Sequence, residues 1–319
     1  MQGAWPARQN ERPLTLPKGW TQVTAAYQHK VALHYWDTDG SSTRWRRNTR
    51  WDHATASLGL AHGLSRHILL WVDLPVLVHA RLRNDFGTDT AVLGFGDARA
   101  GLRVQPWHFP TWNVPFEVNL KTPSGSEWPG NYQGGAAGTS TFLLGTGTTN
   151  VGAAVYHRFQ LGTHVVAADV DLGGAVKLPS VTGYVLEDGG FGNGWLDPGD
   201  EFWAHAALAF QLGLDVQIHG NAYVQIHGNA WVSHRGPYRI GVSGESAFRT
   251  ELDRIPNSSG TFFDAGFGAS WEPFDELELR ANARANLLGA DTTLFGHLGL
   301  EEFSPQPGWT FGGAVVGRW

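Results

Sequence analysis

The sequence predicts an all-β protein, a transmembrane antiparallel barrel of about 14 strands with 12 as the alternative, short periplasmic turns and long extracellular loops. Three observations predict it. Apolar and polar residues alternate with a period of two along almost the whole chain. The last strand has aromatics at both ends of an apolar face. Short and long connections alternate. The barrel is expected over residues 19–319, behind a periplasmic N-terminal segment at 1–18.

Composition agrees. The 319 residues include 42 Gly and 15 Trp, no Cys and one Met, and 16% are charged. Glycine this frequent, with no collagen period, disfavours helices, where each costs about 1 kcal/mol against Ala. The net charge of -6 argues against nucleic acid as a partner. No run of 18 apolar residues exists to form a membrane helix. Residues 1–19, with three prolines and no apolar core, read as a mature chain whose signal has been removed.

The C-terminal strand carries the pattern well. Trp309, Phe311, Gly313, Val315, Gly317 and Trp319 share one face, and Thr310, Gly312, Ala314, Val316 and Arg318 the other. Ten steps of roughly 3.4 Å, tilted by about 40°, rise about 25 Å, the height of an outer-membrane apolar band. Trp309 and Phe311 are read as interfacial aromatics. With the terminal Trp319 they resemble the signal read by the outer-membrane assembly machinery, one expected partner.

The strand before it is cleaner. Leu277, Leu279, Ala281, Ala283, Ala285 and Leu287 oppose Glu276, Glu278, Arg280, Asn282, Arg284 and Asn286. Similar faces recur from Val23 onward. Residues 216–231 hold an exact repeat, VQIHGNAY then VQIHGNAW. Its even period preserves the facing, so one long strand is favoured over a hairpin turning at Gly220 or Gly228. Tight turns are expected near 63–66, 110–113, 161–163 and 213–215. Long connections are expected near 37–50, 86–96, 124–147 and 179–200. Two further strands, at 238–250 and 292–303, complete the count of 14.

The polar faces supply the candidate lumen. Its residues are Lys30, Asp73, Arg81, Arg99, Arg103, Glu117, Lys121, Arg158, Asp169, Asp171, His205, His219, His227, Asp264, Glu278, Arg280 and Arg284. The two signs nearly balance, which predicts weak ion selectivity. The same residues also fit cross-strand pairs that only brace the wall.

No metal or cofactor is expected. His219 and His227, roughly 27 Å apart at strand rise, cannot share an ion. The Gly- and Asp-rich loop 186–200 has carboxylates suited to Ca²⁺ but no fixed ligand spacing. Ser233-His234, and His53 near Thr55, lack the third group that a catalytic triad needs, so an enzyme is not expected.

The loop Arg44-Trp45-Arg46-Arg47-Asn48-Thr49-Arg50-Trp51 is the densest basic stretch. Arg44, Arg46, Arg47 and Arg50 are candidate contacts for lipopolysaccharide phosphates, with the tryptophans at the lipid interface.

Several motifs resemble the outer-membrane proteins of the meta-pathway phenol-degradation family. They are Gly94-Phe95-Gly96-Asp97-Ala98-Arg99-Ala100-Gly101-Leu102-Arg103, then Phe116 to Gly125, Leu144 to Gly147, and Val176-Lys177-Leu178-Pro179. The resemblance covers roughly residues 90–215. It implies a barrel, transporter- or porin-like, that passes small, often aromatic or apolar, compounds.

The expected function is an outer-membrane channel passing small-molecule solutes by passive, weakly selective diffusion. Outer-membrane lipids and lipopolysaccharide are expected partners. The alternative is a structural barrel with a plugged lumen that binds an envelope protein partner. A soluble secreted β protein is a third reading, and the terminal strand speaks against it.

Overall fold

The computed structural model describes residues 13–36, 41–44, 50–83, 89–109, 111–124, 148–161, 166–185, 191–197, 199–214, 222–237, 239–242, 253–254, 259–289 and 308–319. The strands are, in chain order, β1 (Thr21–Ala32), β2 (His34–Trp36), β3 (Ser42–Arg44), β4 (Arg50–Ser65), β5 (Ile68–Arg83), β6 (Asp89–Gly94), β7 (Arg99–Phe109), β8 (Trp112–Lys121), β9 (Asn150–Leu161) and β10 (Val166–Lys177). They continue with β11 (Ser180–Val185), β12 (Phe191–Asp197), β13 (Glu201–Leu214), β14 (Ala222–Arg235), β15 (Arg239–Val242), β16 (Asp253–Arg254), β17 (Gly260–Phe274), β18 (Leu277–Leu288) and β19 (Gly308–Arg318).

Twelve of these close a barrel: β1, β4, β5, β7, β8, β9, β10, β13, β14, β17, β18 and β19. Every neighbouring pair is antiparallel. The seam is shut by β1 on β19, from Gln22 opposite Arg318 to Ala32 opposite Gly308. Closure matters because lipid offers no partner to an open edge. Each unpaired backbone group in hydrocarbon costs several kcal/mol.

The main count of 14 is therefore corrected to the alternative of 12. Residues 239–242 form β15, which joins β12, β11 and β16 in a separate four-stranded sheet at the loop end. The strand expected at 292–303 lies outside the described residues. The long strand from Val216 is also corrected. Leu214 pairs with Ala222, so the chain reverses between them and the strand begins only at Ala222. Alternation is equally compatible with either arrangement, and pairing with β13 decides.

The alternation holds inside out. Half-exposed apolar residues cover the outside, among them Leu60 (50% exposed), Val118 (56%) and Leu208 (49%). Polar and charged residues are buried inside, among them Asn113 (0%), Glu272 (2%) and Glu278 (3%). A water-soluble fold would reverse this, so the wall is built for lipid. No helix among the described residues is long and apolar enough to cross a membrane, and the crossing is made by strands.

Val118 sits midway along β8, facing outward. Val118→Arg is expected to destabilise the barrel by about 2–4 kcal/mol, the cost of a cation at the bilayer midplane. Urea unfolding in lipid vesicles measures it. An unchanged midpoint would place Val118 off the lipid face.

Short connections gather at one end, between β4 and β5, β7 and β8, β9 and β10, β13 and β14, and β17 and β18. Both ends of the seam pair, Thr21 and Trp319, also lie there, exchanging backbone hydrogen bonds of 2.8 and 3.0 Å. The long connections all lie at the other end.

Candidate functional site, the barrel lumen

The lumen is a chain of cross-strand pairs set by register. Arg103 of β7 faces Glu117 of β8 and donates through Nε and Nη2 to Oε2 at 3.0 and 2.7 Å. Arg158 of β9 faces Asp169 of β10 and donates to both carboxylate oxygens, at 2.8 and 2.9 Å. Asp171 of β10 faces His205 of β13, with Oδ2 and Nδ1 2.8 Å apart. Directly opposite partners of opposite sign are the stabilising arrangement on a sheet face. In the two arginine–carboxylate pairs the partners also satisfy one another's charge away from bulk water.

A second cluster crosses the seam. Arg280 donates to both oxygens of Glu278 at 2.6 and 2.9 Å. Arg318 of β19 reaches Glu272 Oε1 at 3.0 Å, Gln22 Oε1 at 3.0 Å, and Glu278. These groups share a cavity of about 530 Å³ with Arg103, Arg158, Asp169, His205 and His227. The cavity is walled by both signs, and its charges are held in pairs.

Above it, nearer the loop end, the inner wall becomes aromatic. Trp203 and Trp231 stack with centroids 4.7 Å apart, and Tyr156 tilts against Trp203 at 6.4 Å. Trp203 lies across Gly173 so closely that any side chain there would collide with the indole. Gly173 therefore makes room for the stack.

The short-turn end is narrowed by the chain's own N-terminal residues. Leu14 N–H donates to Gln105 Oε1 at 2.9 Å, and Arg103 Nη1 donates to Leu14 O at 3.2 Å. Thr15 Oγ1 donates to Arg66 O at 3.0 Å. Thr15 is 2% exposed and Leu16 6%. Pro13 to Leu16 line the same cavity. Gly63 permits this approach, because a Cβ there would strike the Pro17 and Leu16 carbonyls.

Of the expected lumen residues, the structure brings Arg103, Arg158, Asp169, His205, His227, Glu278 and Arg280 into one cavity. Glu117 and Asp171 adjoin it through their partners. Lys121 lies at the loop end of β8, bridged to Asp97 at 3.1 Å, and Arg99 is in register between Asp73 and Lys121. Asp264 accepts from Asn286 Nδ2 at 2.6 Å, with Arg284 3.8 Å away. Lys30 falls between outward His29 and Val31, opposite His53. His219 lies outside the described residues.

Arg81 differs from expectation. It comes into register with Asp52, on the face of Ala54 and His29 rather than on the lumen face, because the pairing of β4 with β5 slips between Ala56 and Ser57.

Arg318 and the residues Pro13 to Leu16 are cavity residues absent from the expected set, and Gln22 and Glu272 join them from the polar faces of their strands. Alternation marks Arg318, which shares the face of Thr310 and Val316. Nothing periodic marks Pro13 to Leu16. Of the expected lipopolysaccharide contacts, Arg44 ends the small hairpin of β2 and β3, Arg50 begins β4, and Arg46 and Arg47 lie outside the described residues. Trp309, Phe311 and Trp319 are 49, 52 and 64% exposed on the outside, Trp309 stacking on Phe311 at 6.1 Å. Among the described residues, no three His, Asp or Glu side chains group as a metal site.

No family model matches the sequence, and no curated protein matches it. In structure the chain is similar to an outer membrane channel from Pseudomonas putida F1, with a TM-score of 0.69 and 13% identity over 98% of this chain and 99% of that one. It is also similar to the β domain of the Bordetella autotransporter BrkA, with a TM-score of 0.56 and 10% identity over 95% of this chain and 100% of that one. The chain thus has the fold of the outer-membrane β-barrels.

Proposed function

We propose that this protein is an outer-membrane channel that passes small molecules by passive, weakly selective diffusion. The observation that carries the reading is the polar cavity of about 530 Å³ inside a closed, lipid-facing barrel. Its charges are paired across strands, so no ring of one sign is present among the described residues to select ions. The stacked Trp203 and Trp231, with Tyr156, favour planar aromatic or apolar solutes, because stacking needs a flat face and no matched hydrogen bonds. The turn end, with residues 13–18, is read as periplasmic and the loop end as extracellular. The exposed C-terminal aromatics are read as the assembly signal.

The test is conductance of refolded protein in a planar bilayer under a salt gradient. Stable steps with a reversal potential within about 10 mV of zero are expected for a charge-balanced lumen. Folded protein that never conducts would overturn the channel reading.

A further inference from the structure

Among the described residues the outer wall is mostly apolar, and one exception is local to β4 and β5. On the turn-end half of β5, Leu70, Val72, Leu74 and Val76 face outward, each 38–44% exposed. The pairing with β4 then slips. Ser57 pairs with Pro75 but Ala56 with Leu77, leaving Val76 as an extra residue. One bulged residue reverses the facing of everything beyond it. Past the bulge, His79, Arg81 and Arg83 come into register with Ala54, Asp52 and Arg50.

Those β4 residues belong to the outer face. Ala54 pairs with His29 of β1, and His29 pairs with Phe311 of β19, which is exposed to the outside. The side chains agree. The His29 and Tyr27 rings are neighbours at 6.5 Å, and Tyr27 is 50% exposed. His29 Nε2 lies 3.2 Å from Asp52 Oδ1, and Arg50 donates to the same oxygen through Nε and Nη2 at 2.9 and 2.6 Å. Register thus places Arg50, Arg81, Arg83, His29 and His79 on the outer face of the sheet. The carboxylates in that register are Asp52 and, on β6, Asp89 opposite Arg83.

Height fixes the environment. Asp52 is ten residues along β4 from His62, which pairs with Thr21 at the turn end. At roughly 3.4 Å per residue and about 40° of tilt, that is a rise of about 26 Å, the full apolar band. Trp309 of the aromatic girdle is in register with Asp52 through Val31, and Phe311 and Tyr27 lie nearer the turn end. The patch therefore starts where hydrocarbon ends and head groups begin. There an exposed arginine costs about 0–1 kcal/mol rather than the midplane penalty.

We propose that this patch is a binding site for the phosphate groups of lipopolysaccharide in the outer leaflet. It rests on the outer-membrane reading above. The basic character is the complement of a phosphorylated glycolipid, and guanidinium groups bind phosphate bidentately. Asp52 holds Arg50 and His29 along the wall, so the Arg50 guanidinium is presented sideways to a neighbouring lipid and away from the pore. The site lies on β4 and β5, in the register that follows the Val76 bulge.

The test uses the full chain in detergent micelles, titrated with purified rough lipopolysaccharide, the same glycolipid dephosphorylated, and phosphatidylglycerol, with native mass spectrometry as readout. Discrete adducts with the phosphorylated glycolipid alone are expected. Arg81→Gln with Arg83→Gln should weaken them about ten-fold, and Arg44→Gln should not. Equal binding of the dephosphorylated glycolipid or of phosphatidylglycerol would overturn the site, and so would a double variant that binds like the wild type. Conductance of the wild-type protein separates the two readings. Wild type that conducts but binds no lipopolysaccharide loses only this site, and folded wild type that never conducts loses the channel.

Discussion

Deletion of residues 1–17 is expected to raise single-channel conductance about two-fold or more, because Pro13 to Leu16 occupy the turn end of the lumen. Among its described residues, Leu14 bonds to Gln105 and Arg103, and Thr15 to the Arg66 carbonyl. The wall behind it stands without it. Arg103 keeps its double contact with Glu117, and Gln105 Nε2 still donates to Asn113 Oδ1 at 2.9 Å. The barrel should therefore fold and show the usual change of gel mobility on heating. Bilayer recordings of the two proteins side by side decide. Equal step sizes would mean that the narrowest point is elsewhere, and would move the search toward Trp203 and Trp231.

Arg318→Ala should be the most destabilising lumen substitution. The guanidinium joins three strands beside the seam: Gln22 on β1, Glu272 on β17 and Glu278 on β18. The side chains of Arg318, Glu272 and Glu278 are 6, 2 and 4% exposed. Removing the cation leaves Glu278 with Arg280 but strips a buried charge on Glu272 of this ion pair. Breaking a buried pair from one side costs about 3–5 kcal/mol, and water in the lumen brings the expectation to the lower end, about 3 kcal/mol. Arg318→Lys should recover only part of it, since a point charge lacks the planar fork that reaches separate acceptors. Urea midpoints in micelles give the values. An unchanged midpoint for Arg318→Ala would mean that another cation moves onto Glu272.

Much of this molecule was legible because the period of a strand is local. A residue's facing follows from its neighbours two positions away, so the lipid face of Leu277 to Leu287 and the lumen face of Glu278 to Arg284 needed no partner to be read. The terminal strand ending at Trp319 was legible for the same reason. The resemblance over residues 90–215 pointed to the same barrel. The cavity members Arg158, Asp169, His205 and Arg280 followed from facing alone. Their partners did not, because register is set by the other strand.

What the sequence by itself determined was the alternation, the apolar exterior and the closed antiparallel wall, since lipid permits no other use of such strands. Three things needed the tertiary structure. The count of 12 strands depended on β15 pairing with β12 outside the barrel, an equally good match to the same pattern. The outward turn at Arg81 depended on one extra residue, Val76, that no periodicity reveals until β4 is laid beside β5. The narrowing by Pro13 to Leu16 depended on a segment with no period at all. Its place is fixed by long-range contacts, a backbone N–H on Gln105 and a carbonyl under Arg103, which alternation along the chain does not encode.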